Sequence, residues 1–454
     1  MENGENQYRI KGGMTLVIIA FFLCFIPCIT RADSRDLDLW VCPVGGYEDP
    51  AAVEELAQDY HRIHPDVEIH VRILDAENGM DEAEDALGTL DAPDLIIASP
   101  AYLVTKWGND GSMADLSDLW SSEASSEIDG EIRLTCQGLD GGWYQIPLFR
   151  DVYTMAVNYN LFWRRGLVQY LDENAHSWKD SGFIDSVLVL HDYMLSHEDK
   201  DIVVAKIPCR DKKDQRQFMS FITNLSDGSL VNSTMTGYTL SSSAVRTSFS
   251  ILRNLQGKGI EYDPGMGSDD EIRAFLDGEL PVTFFWSYYR QQQYASSADF
   301  TVFPMMYPNS KNLPVLTGDI CGIGAVKQED AQALEDSIDF IRFLSEDPDE
   351  YTKAVSLSGC LPVRSRVQGT YLKDVYESDE STQLYRFFLG YATEYSPSMP
   401  LFTDLEEKWP ELVRQIAEGG KIKALTQELD ALLNTRLSEE FGITQIEEED
   451  AEEG

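Results

Sequence analysis

Bases are scarce in this sequence. Its 454 residues hold 36 lysines and arginines against 78 aspartates and glutamates, a formal net charge of −42. A nucleic-acid partner needs a basic footprint to meet the phosphates, and none is present. The acidity reads instead as a solvated, self-repelling surface. Histidine is rare as well, at six. His61 and His64 stand three apart on one expected helix, a spacing a metal could use, but a polar helix end makes them ordinary surface histidines. Cysteine gives neither a zinc pattern nor a redox pair. Cys24 and Cys28 precede the globular part, and Cys42, Cys136, Cys209, Cys321 and Cys360 are scattered and odd in number. They define no disulfide framework, and small buried hydrophobes are the expectation. The motifs HExxH, GxSxG, GxGxxG and the P-loop are all missing, so neither a cofactor nor a catalytic centre is expected. Acidic pairs are too common in such a chain to mark glycosidase carboxylates.

Only one long apolar run exists, "MTLVIIAFFLCFIPCIT" from Met14 to Thr30, behind Arg9 and Lys11. It falls short of the roughly twenty residues a membrane span needs. Thr30-Arg31-Ala32 offers small residues where a signal peptidase cuts. Residues 1–32 are therefore read as a signal peptide or membrane anchor, with export and a mature start near Asp33. Lipidation at Cys28 is the other route, although Phe25-Ile26-Pro27 matches a bacterial lipobox poorly.

The chain is rich in core-forming residues, 43% hydrophobic and 11% aromatic, and long enough for two or three packed units. "DLDLWVCPV" (Asp36 to Val44) reads as a buried strand. Asp49 and Pro50 then suit the N-cap and first turn of a helix, with Val53, Leu56, Ala57, Tyr60 and Ile63 at helical spacing. "VEIHVRIL" alternates as a strand, and "APDLIIASP" is a short buried strand. Strands alternating with helices predict a mostly parallel sheet covered by helices. "FTVFPMMYP" and "CGIGAV" add strands. "DAQALEDSIDFIRFLSED" and "KIKALTQELDALLNTRLSEEF" add amphipathic helices. The final "EEEDAEEG" is an acidic tail.

Taken in order, several segments resemble the extracellular solute-binding proteins of ABC importers, in the sugar-binding group like maltose-binding protein. They are "AAVEELAQDYHRIHPDVEIHV", "APDLIIASPAYLVTKWGNDGSMADLSDLW", "WYQIPLFRDVYTMAVNYNLF", "FLDGELPVTFFWSYY" and "SGCLPVRSRV". The resemblance spans about Leu37 to Phe441. It implies an α/β, two-lobed periplasmic-binding-protein fold, with a ligand cleft that closes by hinge motion. The expected lobe segments are 33–150 and 304–350 for the first lobe, and 151–303 and 351–444 for the second, with 445–454 as the tail. Hinges are expected at Arg150–Tyr153 and Phe303–Met306. The implied function is capture of a sugar or oligosaccharide by an exported, monomeric, non-enzymatic protein, for delivery to ABC permease subunits. A secreted glycoside hydrolase and a sensory module for a membrane kinase are the competing classes.

Ligands of open α/β sheets sit beyond the carboxyl ends of strands, which selects Tyr47 and Glu48 after the first strand and Ser99 and Tyr102 after "DLIIA". Arg150 and Asp151 lie at the crossover, as a hinge ion pair or as partners for ligand hydroxyls. Asp319 is a similar candidate. In "TFFWSYY", Phe284 and Phe285 read as core on the two sides of a strand. Trp286 is the expected sugar-stacking platform, with Tyr288 or Tyr289 on the same wall. The alternative for Trp286 is a core position beneath the cleft.

Overall fold

The structure is a computed structural model, describing residues 35–196, 203–210, 214–311, 313–367, 370, 379–393 and 399–445. The leader, Cys28 and nearly all of the acidic tail lie outside the described residues.

Strand β1 (Arg35–Val41) buries Leu37, Leu39 and Val41 while Asp36 and Asp38 stay exposed, as period-two patterning requires. Asp49 accepts a hydrogen bond from the Ala51 amide at 3.0 Å and starts the Pro50–Ile63 helix. That helix buries Val53, Leu56, Ala57 and Tyr60, whereas Ile63, its last residue, is 61% exposed. Strands β2 (Val67–Ile73) and β3 (Leu95–Ala98) flank β1, both parallel to it. The sheet continues through β12 (Ile320–Ala325), β4 (Ile146–Arg150) and the short β13 (Leu361–Pro362), each pairing antiparallel to its neighbour. The expected mostly parallel arrangement is thus mixed. β1 to β4 run one way, whereas β12 carries the chain back from the other half of the molecule and runs against them.

The second half is built on β5 (Tyr153–Asn158), which lies between β10 (Val282–Ser287) and β11 (Val302–Met305), antiparallel to both. Beside β10, the parallel pair β8 (Ala205–Pro208) and β9 (Ile260–Asp263) is joined on by the Val282 amide donating to the Val204 carbonyl at 3.1 Å. A small hairpin, β6 (Leu171–Asp172) with β7 (Ser177–Trp178), sits at its border. The helices Gln215–Leu225, Ser243–Leu255, Phe402–Ala417 and Ile422–Phe441 supply the rest of this core.

The apolar cores show where the chain changes lobe. One sheet face packs with Leu39, Tyr60, Phe149 and Phe340, and the opposite face with Trp40, Ile96 and Trp107. The second core holds Phe221, Phe284, Trp286 and Trp409. Two expected boundaries move. Met305, Met306, Tyr307 and Leu316 pack in the second core rather than the first. Tyr351, Ala354, Val355, Cys360 and Val367 belong to the first core rather than the second. The Pro348–Ser358 helix turns Tyr351, Ala354 and Val355 into the first core, a choice its own sequence does not label.

Two connections between the cores run side by side. The Asp151 amide donates to the Asp319 carbonyl and the Tyr153 amide to the Thr317 carbonyl, each at 2.9 Å. Gly318 makes this possible, because a Cβ there would fall 1.9 Å from the Asp151 carbonyl oxygen. The expected crossover at Arg150–Tyr153 coincides with one of these strands. Phe303–Met306 instead lies mostly within β11, paired along its length with β5, and the return passes through Thr317–Asp319. Among the described residues no helix is long and apolar enough to cross a membrane.

Candidate ligand cleft

The carboxyl ends of β1 and β3 open into the loops Cys42–Glu48 and Ser99–Tyr102. Facing them are the start of the Gln215–Leu225 helix, the end of β10, and Glu406 and Glu407 from the Phe402–Ala417 helix. Together they enclose a cleft of about 530 Å³. Six of the ten expected residues line it: Glu48, Ser99, Tyr102, Asp151, Tyr289 and Asp319.

Four do not. Trp286 is fully buried, its Nε1–H donates to Gln291 Oε1 at 2.8 Å, and Phe275 meets its ring edge-on at 5.7 Å. All six residues of β10 are buried, so the strand has no open face on which to present a platform. Its pairing with β5 also shifts register between Thr283 and Trp286, which defeats simple alternation. Tyr288 is core too, packed against Tyr385 with its hydroxyl 3.2 Å from Thr382 Oγ1. Tyr47 is fully buried, donates to the Ala354 carbonyl at 3.1 Å and packs edge-on against Phe149. Arg150 closes β4 in register with Ile320 and Leu361, away from the cleft lining. Of the two helix histidines, His61 bonds the Val67 carbonyl through Nδ1 at 2.6 Å, and His64 stacks on Tyr60.

Arg216 is the residue that sequence reasoning missed. It stands in the first turn of its helix, largely buried, and reaches across the cleft. Its Nη1 donates to Asp319 Oδ1 at 2.7 Å and its Nη2 to Ser99 Oγ at 3.2 Å, both on the first lobe's side. Glu406 takes the other edge of the guanidinium, through Nε and through Nη2 at 3.0 Å. A bidentate carboxylate fork on one side and two first-lobe acceptors on the other fix the guanidinium plane. "DQRQF" carries no motif that would single Arg216 out, and only the approach of Glu406, 190 positions later, gives it a role. Asp214, with φ of 62°, accepts from Arg290 Nη2 at 2.7 Å and from the Ser268 hydroxyl at 2.6 Å. Gln217 donates to Asp214 at 3.4 Å, while its carbonyl oxygen, buried at the cleft wall, finds no partner among the described residues.

Asp151 is held by two amides, Val152 at 2.8 Å and Tyr289 at 3.2 Å, yet its burial raises the carboxyl to about 6. Deeper in the second lobe, Glu271 is fully buried. It accepts from the Thr283 hydroxyl at 2.7 Å, while its other oxygen has no partner among the described residues. Burial lifts its carboxyl from 4.5 to about 8. A folded pKa above the unfolded one means the native state binds the extra proton. Its stabilising contribution is therefore complete below about pH 4.5 and is lost as pH rises through about 8. Glu271→Gln should flatten that slope, which for one proton is at most about 1.4 kcal/mol per pH unit. Urea midpoints from pH 5 to 9 check it. An unchanged slope in the variant would mean that Glu271 is ionised in the fold.

No protein-family model matches the sequence, and comparison with curated proteins gives no match. Solved structures do match. The GacH receptor of Streptomyces glaucescens, solved unliganded and with acarbose, superposes with a TM-score of 0.72 at 14% identity, covering 89% of this chain and 99% of that one. UgpB from Mycobacterium tuberculosis, in complex with glycerophosphocholine, gives 0.72 at 16% identity over 90% of this chain and 100% of that one. Maltose-bound MalE3 of T. maritima gives 0.70 at 15%, over 88% and 100%. The chain has the two-lobed fold of solute-binding proteins. In that fold the cleft lies between the lobes, and its lining draws on both cores.

Proposed function

We propose that the protein is an extracytoplasmic solute-binding protein that captures a sugar or oligosaccharide and passes it to an ABC permease. The carrying observation is the cleft itself. It has room for a small saccharide, draws its walls from both lobes, and sets Tyr102 and Tyr289 among carboxylates and Arg216. Aromatic rings take the flat C–H faces of a sugar, and charged groups take its hydroxyls. Structures of the same fold were solved with maltose, acarbose and cycloalternan, which supports the same class of ligand here. The reading is non-catalytic, and it places the protein outside the cytoplasmic membrane, as a monomer, held there or released according to the fate of residues 1–32.

A thermal-shift screen against mono- and oligosaccharides tests it. A ligand at about a hundred times its Kd adds about 2.7 kcal/mol to the folded state, a shift of several degrees. A flat response to every saccharide, confirmed by calorimetry, would overturn sugar capture. Turnover of a chromogenic glycoside would replace it with hydrolysis.

A further inference from the structure

The segment that follows β3 belongs to the first lobe but does not pack there alone. Ala101–Lys106 is a π-helical turn, in which the Trp107 amide donates to the Tyr102 carbonyl at 2.8 Å. Such widened turns recur at functional sites. Leu103, Val104 and Trp107 join Trp40 and Ile96 in the first lobe. Ala101, fully buried, joins the second core instead, the one that holds Phe402 and Leu405. The Phe402–Ala417 helix lies against this turn. One turn of backbone is thus shared between the lobes.

Arg216 adds a polar bond beside that apolar seam. Its Nη2 donates to Ser99 Oγ, two residues before Ala101, and its guanidinium carbon lies 5.6 Å from the centre of the Phe402 ring. The start of the Phe402–Ala417 helix is itself fixed in place. Leu401 has φ of 65°, a costly conformation for a bulky side chain. Its burial in the second core holds it there, together with the Tyr238 hydroxyl, which donates to the Pro400 carbonyl at 2.7 Å. Tyr289 makes another crossing. It comes from the second lobe but packs against the first core, where Gly359 leaves it room, since a Cβ there would fall 3.2 Å from Tyr289 Cδ2.

From the shared turn and the Arg216–Ser99 bond beside it, we infer that the lobes carry a built-in clasp, which holds the cleft shut by protein contacts and must release for a solute to enter or leave. Opening about the paired crossings Asp151–Tyr153 and Thr317–Asp319 draws Ala101 out of the second core and separates Ser99 from Arg216. Apolar burial and a charge-assisted hydrogen bond are lost together, so each supports the other. The clasp lowers the apparent affinity for a solute by the fraction of molecules open to receive it. The inference needs only the two-lobed fold and holds for whichever solute the cleft takes.

The test uses the full chain without added saccharide, so it stands apart from any failure of the sugar reading. Ser99→Ala removes the acceptor across the cleft and leaves the Glu406 fork on Arg216 in place. Ala101→Glu drives a charge into the apolar seam, where it is tolerated only if the lobes part. Small-angle scattering should give a radius of gyration that rises from the native chain through Ser99→Ala to Ala101→Glu. Alkylation by N-ethylmaleimide, read by peptide mapping, supplies a second measure. Cys42 is half-buried in the cleft lining, whereas Cys209, also half-buried, lies outside it. Cys42 should react about fivefold faster or more in Ser99→Ala, the shift in open population that losing one hydrogen bond from a charged donor allows. Cys209 should keep its native rate. Urea transitions certify that each variant folds, and if Ala101→Glu does not, Ser99→Ala decides alone. An unchanged radius and an unchanged Cys42 rate would overturn the clasp. Faster Cys42 without a larger radius would mean loosening within the first lobe, and equal acceleration of both thiols would mean general unfolding. Either result would overturn it as well.

Discussion

Replacing Trp286 with alanine should destabilise the ligand-free protein by about 3–5 kcal/mol, the usual cost of emptying a large aromatic site in a core. The indole is fully buried in the second lobe, packed against Phe275, with its N–H satisfied by Gln291. Truncation removes those contacts and leaves a cavity that β10 cannot collapse into, because its ladder to β5 holds the backbone in place. Chemical denaturation without ligand measures the loss directly. Tyr289→Ala is the matching control. It lines the cleft and is half-buried, so it should weaken sugar binding by about 1–2 kcal/mol with little change in the unliganded midpoint. Trp286→Ala with an unchanged midpoint and lost binding would return the indole to the cleft wall.

Substituting Arg216 by methionine should cost about 3–5 kcal/mol, the loss expected when one partner of a largely buried ion pair is removed. Glu406 would keep its burial, which already raises its carboxyl above the usual range, and lose the cation that opposes that rise. Asp319 and Ser99 would lose their contact with the second lobe. The double variant Arg216→Met, Glu406→Gln should recover most of the loss, since an uncharged pair no longer carries a stranded carboxylate. Denaturant midpoints of the two single variants and the double close the cycle. A double variant as unstable as Arg216→Met alone would show that packing of the arginine stem, not charge pairing, is what the site needs. Because Arg216 ties the lobes together, small-angle scattering of the single variant should also give a larger radius of gyration in the absence of ligand.

Sequence patterning determined the local elements and the general layout. Alternation in Val67–Ile73, the Asp49-Pro50 start of the first helix and the unbroken apolar run Leu95–Ala98 all depend on neighbours within a few positions, so they are legible from one strand or turn. The positions just beyond the strands were legible for the same reason. Glu48, Ser99 and Tyr102 come after strand ends, where an open sheet meets its cleft, although Tyr47 in the same loop turns into the core. The features that sequence left undecided depend on contacts between distant segments. Whether β10 has an open face is set by the helices that cover it, and they cover both, so Trp286 went to the core and Tyr289, three residues on, to the cleft. The register shift between Thr283 and Trp286 has no local signature that would have announced it. Which lobe takes the Pro348–Ser358 helix is settled by where Tyr351 finds its packing, and the amphipathic pattern is the same for either. Arg216 shows the limit most plainly. Its partners come from positions 99, 319 and 406. A charge acquires its role from the carboxylates that desolvation forces against it, and only the folded chain brings those together.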